Sequence, residues 1–161
     1  MRVEFINPFL ESADEVLLQL IQLKTIRGRL ALKMPNQPYP EICIVLGVVG
    51  KVEGQVIYGM QDDCARNIAS RMMMGLPVES LDDMAKSALA ELGNMITGRA
   101  TIGLESAGYP CDISPPTLIS AKNITVSSPS TQILVVPLET ELGTIDLHVG
   151  LEESRGEKKR R

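Results

Sequence analysis

The amino-acid sequence predicts an α+β fold in two layers, with helices packed on an antiparallel sheet. Three observations carry that expectation. Apolar residues recur at helical spacing over residues 8–21 and again from Leu81 onward; β-branched runs bounded by glycines lie between and after them; and those runs follow one another directly instead of alternating singly with helices. At 161 residues and 44% hydrophobic content the chain has one-domain size and enough apolar surface for a core without disulfides or metal.

Asn7 followed by Pro8 reads as an N-cap with proline at the first helical position, and Phe9, Leu10, Ala13, Val16, Leu17, Leu20 and Ile21 then mark a first helix over about residues 8–21. "TIRGRLALK" reads as a strand and "NQPYP" as a loop, because its prolines remove ladder donors. "EICIVLGVVG" and "GQVIYGM", joined through "KVE", form a hairpin; the first run is apolar on both faces and is expected at the centre of its sheet. A short helix follows in "DDCARNIASRMMMG", capped by Asp62 or Asp63 and stopped by Gly75, with its methionines filling core. The longest helix begins at Ser80, whose spacing to Asp83 is a capping-box variant. Beyond residue 113 the strands "TLISA", "NITVSS", "TQILVVPL" and "GTIDLHVGL" are expected, with Pro115 and Pro116 at a loop or edge. Displaced by 89 residues, Ile44, Val45, Leu46, Gly54 and Val56 fall on Ile133, Leu134, Val135, Gly143 and Ile145, which suggests that one helix-plus-strands unit occurs twice. Residues 1–151 form the expected domain, and 152–161 a charged tail expected to be disordered.

Composition narrows the function. The net charge is −4, and the last eleven residues hold five bases and three acids, a net +2 that leaves −6 on the body. Such a body disfavours nucleic acid, whose binding rests on phosphate neutralisation by Lys and Arg. The longest apolar run, "ICIVLGVVG", is far shorter than the roughly 20 residues a membrane helix needs. Cys43, Cys64 and Cys111 are odd in number and widely spaced, so they suggest free thiols in a reducing compartment, and a cytoplasmic location is expected. His148, the single histidine, has no neighbouring ligand set; it is expected half-buried on a strand, with no role in metal binding or in Ser-His or Cys-His catalysis.

The long helix carries "AELGNMITGRA", with Gly93, Asn94, Thr97 and Gly98 as poor helix formers. At roughly 100° per residue, Leu81, Ala85, Ala88, Leu89, Leu92, Met95 and Ile96 form the arc expected to pack on the sheet. Ser87, Glu91, Asn94 and Gly98 then fall within about 60° of one another in a polar stripe. Glu91 and Asn94 are an i, i+3 pair projecting toward one patch. An asparagine amide is neutral and is no general base, yet it can accept from a water while donating to an oxygen. In phosphoryl transfer that suffices, because catalysis there is positioning and electrostatics around a loose transition state. Glu91 would sit poorly beside a phosphate and is better suited to gripping a partner's lysine or arginine. An exposed helix face would account for an ExxN as well. A second ExxN, Glu4 to Asn7, stands in "EFIN", but Pro8 biases Asn7 away from the α region, so the two are not expected to share a helix face.

"ELGNMITG", followed by "GYPCDISPPTLISAKNITV" and preceded by "FINPFLESA" near the start, resembles the CheC, CheX and FliY family of chemotaxis phosphatases, with the nearest likeness to its CheX branch. The resemblance covers nearly the whole chain. It implies a pseudo-symmetric fold of two halves and an enzyme, a phosphoaspartyl protein phosphatase acting on a phosphorylated CheY-type response regulator. It implies that Asn94 orients the attacking water and that Glu91 anchors the regulator, with Ser87 and Gly98 on the same partner-binding stripe. It further implies no cofactor of the chain's own, Mg2+ being held by the regulator, and a homodimer, where CheC members work with a deamidase partner. Arg99 departs from the small residue expected after Gly98, and the Pro115-Pro116 pair adds a second proline. The other reading is a non-catalytic module that docks a receiver domain or a flagellar motor component.

Overall fold

The computed structural model describes residues 2–125 and 132–156. Among the described residues three helices and eight strands follow in the order α1 Val3–Ile21, β1 Ile26–Arg27, β2 Ala31–Leu32, β3 Ile42–Gly50, β4 Val52–Met60, α2 Asp62–Met72, α3 Asp83–Ser106, β5 Cys111–Ile113, β6 Thr117–Ser120, β7 Leu134–Thr140 and β8 Gly143–Glu153. The strands make one antiparallel sheet in the order β1-β7-β8-β4-β3-β5, with β2 also on β7 and β6 also on β3. The α+β, two-layer expectation holds.

That strand order reads the same backwards when β1/β2, β3 and β4 are exchanged for β5/β6, β7 and β8. The 89-residue echo is the sequence trace of this symmetry, since it superposes hairpin β3-β4 on hairpin β7-β8. The two hairpins meet along β4 and β8, with Val56 opposite Val149 and Ile57 opposite His148. Each half lends its short strands to the far edge of the other half's hairpin. β3 is therefore paired on both sides, as its apolar run predicts, but it is not central; β4 and β8 are.

One face of the sheet carries the main core. Ile42, Ile44, Leu46 and Val48 of β3 alternate inward with Val56, Tyr58 and Met60 of β4 and with Ile145, Leu147 and Val149 of β8, all against the helices. On the reverse face Tyr39, Cys43 and Ile57 form a smaller cluster. His148 lies there at 2% exposure, its ring 4.7 Å from that of Tyr39, and so is buried where half-burial was expected. Burial, assisted by the nearby charge of Lys33, pushes its pKa down to about 4.

Several boundaries differ from expectation. α1 starts at Val3, capped by Arg2 without a side-chain bond, so Asn7 is no cap and Pro8 lies inside the helix. The reason is apolar: Phe5 and Ile6 extend the buried stripe by a turn, and at this depth Pro8 removes a single helical hydrogen bond. Pro8 also meets α3, where a methyl group on Gly103 would approach its Cβ to 3.1 Å. The strand expected over "TIRGRLALK" is broken into β1 and β2 around Gly28, whose N–H donates to the Pro137 carbonyl at 2.7 Å. The hairpin turn shrinks to Lys51, with β4 beginning at Val52.

α2 is capped by Gln61; Asp62 and Asp63 sit in its first turn, where their charge suits the helix dipole, and Asp62 also pairs with Arg66 at 2.7 Å. Met72 and Met73 pack against the core, but Met74 is 97% exposed, because the helix has ended and the chain turns through positive φ at Met74 and Gly75. The cap of α3 is Asp82, whose carboxylate accepts from the Ala85 N–H at 2.9 Å, in place of Ser80. Of "NITVSS", Ile124 makes one bridge to Tyr39, and residues 126–131 lie outside the described set. β5 was not anticipated. β8 runs on through Glu153, two residues into the expected tail, of which 157–161 lie outside the described residues.

A candidate phosphoryl-transfer face on helix α3

The buried residues of α3 are Ala85, Leu89, Leu92, Gly93, Ile96, Thr97, Ala100 and Leu104. Their mean direction is rotated by about 70° from the arc read off the sequence. Met95 is 37% exposed and no core residue, while Gly93, Thr97 and Ala100 face the sheet. Gly93 accounts for the rotation. A methyl group there would stand 2.6 Å from Ile44 Cγ2, so the missing side chain is what lets this helix face settle onto β3. Thr97 lies in the same contact. Its hydroxyl donates to the Gly93 carbonyl at 2.7 Å and lies 2.8 Å from the hydroxyl of Tyr58, a fully buried residue of β4. Sequence reading noticed Thr97 only as a poor helix former. The signal that could have found it is Tyr58, an inward-facing strand tyrosine whose hydroxyl needs a partner.

With the core side turned this way, the polar stripe points nearly opposite the sheet. Ser87 and Glu91 are exposed, and Asn94 and Gly98 are half-buried. Among the described residues no hydrogen bond or ion pair engages the side chains of Ser87, Glu91 or Asn94. A methyl group on Gly98 would meet only Ile113 Cδ1, at 4.0 Å, so the helix surface there is open. α3 is held firmly beneath this stripe, by its Asp82 cap, by Gly93 on β3, and by α1. Arg99 joins the α1 contact, bonding Glu15 at 3.1 Å and Gln19 at 3.2 Å. The residue that departs from the family pattern is thus an inter-helix tie on the side away from the stripe.

The second ExxN does share a helix face, since α1 runs through both Glu4 and Asn7, and both are exposed. Glu4 is occupied, however. It accepts from Arg2 at 3.1 Å and from the Tyr109 hydroxyl at 3.4 Å, while Arg2 also pairs with Glu153. The thiols are poor alternatives for chemistry: burial pushes Cys43 and Cys64 up to about 11, so both stay protonated near neutrality.

The family model described as "Chemotaxis phosphatase CheX" matches residues 42–139, a span that includes the stripe and the whole of hairpin β3-β4. The chain belongs to the CheX family. A curated CheX relative, the CheY-P phosphatase of Thermotoga maritima, is 30% identical over 128 residues, covering 80% of this chain and 83% of that one. The solved CheC-like superfamily protein of Shewanella sp. PV-4 superposes with a TM-score of 0.85 at 30% identity, over 94% of this chain and 99% of its own. The CheX of Borrelia burgdorferi, solved as a CheX-CheY-BeF3-Mg complex, superposes at 0.80 with 28% identity, over 94% of this chain and all of that one. No helix among the described residues is long and apolar enough to cross a membrane.

Proposed function

We propose that this CheX-family protein is a phosphatase that hydrolyses the phosphoaspartate of a CheY-type response regulator, using Asn94 to orient water and Glu91 to hold the regulator. The observation that carries it is the unpaired Glu91 and Asn94, one turn apart on the outward face of a helix pinned to the sheet directly below them. The amide accepts one water hydrogen while its N–H2 donates to a phosphoryl oxygen, which fixes the water opposite the aspartyl oxygen. The water oxygen then bonds phosphorus as the P–O bond to aspartate breaks. The carboxylate leaves without needing an acid, since its own pKa lies near 4, and the water's proton passes to the phosphate or to solvent. Glu91 pairs with a lysine or arginine of the regulator beside the reaction, and Ser87 and Gly98 line the approach.

The CheY-bound Borrelia relative supports a receiver domain as partner and magnesium as part of the complex. On this reading the regulator holds the Mg2+; among the described residues no three His, Cys, Asp or Glu side chains gather as metal ligands. The working form is a cytoplasmic homodimer, to be checked by sedimentation. The deciding experiment follows phosphate release from a phosphorylated CheY-type receiver. Wild type is expected to shorten the phosphoaspartate lifetime, and Asn94→Ala to lose about 3–4 kcal/mol of transition-state stabilisation, a factor on the order of a hundred or more. An Asn94→Ala rate equal to wild type would defeat the mechanism. A stable complex with an unchanged lifetime would favour the non-catalytic docking module.

A further inference from the structure

Asp146 stands where a sheet rarely keeps a carboxylate. β8 is paired on both sides there, with Gly59 of β4 and Pro137 of β7 opposite Asp146. All three face away from the helices, because Ile145 and Leu147 on either side of Asp146 pack into the main core. The Asp146 side chain is half-buried, and burial raises its pKa. Among the described residues no hydrogen bond or ion pair engages its carboxylate; the charge of Lys33 reaches it without contact.

The chain after β2 builds a wall beside this carboxylate. The Lys33 N–H donates to the Ile133 carbonyl and the Tyr39 N–H to the Ile124 carbonyl, each at 2.8 Å. Pro40 then rests on Gly59, where a methyl group would stand 2.8 Å from its ring. Between this fixed arm and strands β7 and β8 lies a cleft of about 420 Å³, with Arg29, Lys33 and Tyr39 on the arm side and Pro137, Asp146 and His148 on the sheet side. Its size is that of a small-molecule site. The Lys33 ammonium gives one hydrogen to the Pro38 carbonyl at 3.0 Å and lies 4.3 Å from the centre of the Tyr39 ring, which leaves a donor over. Burial lowers its pKa, and the buried Tyr39 hydroxyl has no hydrogen-bond partner among the described residues. Charged and polar groups buried without counterparts cost stability, so three of them around one cleft point to a molecule that supplies the counterparts.

The signs fix its chemistry. A simple anion would be drawn to Lys33 and Arg29 but repelled by Asp146, and a simple cation would meet the reverse. A molecule with adjacent ammonium and carboxylate groups satisfies both, since Lys33 and Asp146 are neighbours that do not touch. A free amino acid carries that adjacent pair, whereas either end of a peptide carries only one of the two. With His148 uncharged near neutrality, the lining holds two positive charges and one negative, which favours a ligand of the opposite balance. We infer that this cleft binds a free acidic α-amino acid, with its ammonium on Asp146, its α-carboxylate on Lys33 and its side-chain carboxylate toward Arg29 at the exposed mouth. The site lies on the opposite face of the sheet from Asn94 and stands or falls apart from the phosphatase reading.

The test titrates the full chain with L-glutamate by isothermal calorimetry at neutral pH. Saturable binding is expected, with glutarate, which lacks the ammonium, and N-acetyl-L-glutamate, which has it blocked, weaker by about tenfold or more. Asp146→Asn and Lys33→Gln are each expected to weaken L-glutamate by a similar factor. Thermal melts check that both variants fold; Asp146→Asn removes a charge that burial penalises, so lost binding there is not lost structure. The site would be overturned by the absence of saturable heat up to about 10 mM L-glutamate, by glutarate binding as tightly as L-glutamate, or by wild-type affinity in both variants.

Discussion

Alanine at Gly93 and alanine at Gly98 should move stability in opposite directions, although both glycines lie inside the same helix. By propensity alone each replacement stabilises by about 1 kcal/mol. At Gly98 nothing opposes that gain, because the new methyl meets only Ile113 Cδ1 at the ordinary distance of 4.0 Å. At Gly93 the methyl stands 2.6 Å from Ile44 Cγ2, a contact that cannot persist. Ile44 has little room to yield: it is 1% exposed, its branched Cβ restricts χ1, and β3 is paired on both sides. Overpacking of this kind costs about 1–3 kcal/mol, with the upper part expected here, so the net effect is a loss of about 1–2 kcal/mol. In a domain of this size that lowers Tm by about 2–8 °C, while Gly98→Ala raises it by about 2–4 °C. Urea unfolding followed by circular dichroism, with unchanged slopes, reads both values. Equal midpoints for the two variants would refute the account of why α3 lies where it does. Gly98→Ala carries a second expectation: more stable than wild type, it should hydrolyse phosphoaspartate more slowly, because its methyl occupies the approach to Asn94.

The Tyr58 and Thr97 hydroxyls should be unequal in value. Thr97→Val strands the Tyr58 hydroxyl in the core and should cost about 1–3 kcal/mol, whereas Tyr58→Phe leaves Thr97 still bonded to Gly93 and should cost about 0.5–1.5 kcal/mol by the same urea assay. His148 makes the fold acid-sensitive. Its folded pKa of about 4 lies below the unfolded value near 6.5, so its contribution is complete above pH 6.5 and is lost as pH falls toward 4, by up to about 1.4 kcal/mol per pH unit. Asp146, raised by burial, works the other way as it protonates, so His148→Gln should flatten the pH-stability curve between 6.5 and 4, whereas Asp146→Asn should steepen it. Arg99→Ala, which removes half-exposed contacts to Glu15 and Gln19, should cost less than about 1 kcal/mol in thermal melts.

The parts of this fold that were legible in advance are those where one local rule acts without competition. The hairpins are read from alternation and glycine, and the stripe of Ser87, Glu91, Asn94 and Gly98 from helical period alone, because residues that face solvent keep the direction their spacing gives them. What sequence reading misplaced depends on partners distant in the chain. Pro8 looked like a helix start, yet burial of Phe5 and Ile6 outweighs one missing hydrogen bond. The buried side of α3 was drawn through Met95 because methionine is apolar, whereas the sheet approaches through Gly93, and only Ile44 on β3 makes that visible. Asp82 displaces Ser80 as cap by a choice between neighbours that hydrophobic pattern does not rank.

The palindromic strand order has a consequence for how such a chain could arise. If one half were made alone, it would hold a hairpin with a bare outer edge together with two short ribbons cut to fit that same edge on another copy. Two copies would satisfy each other about a two-fold axis, and the association would fall apart on dilution. α2 and the loop behind it, joining β4 to α3, act here as a tether that replaces dissociation by a fixed local concentration. Once tethered, the two helices that such a pair would share as equals are free to diverge: α1 ties its glutamate to Arg2 and Tyr109, and α3 keeps its own bare for a visitor.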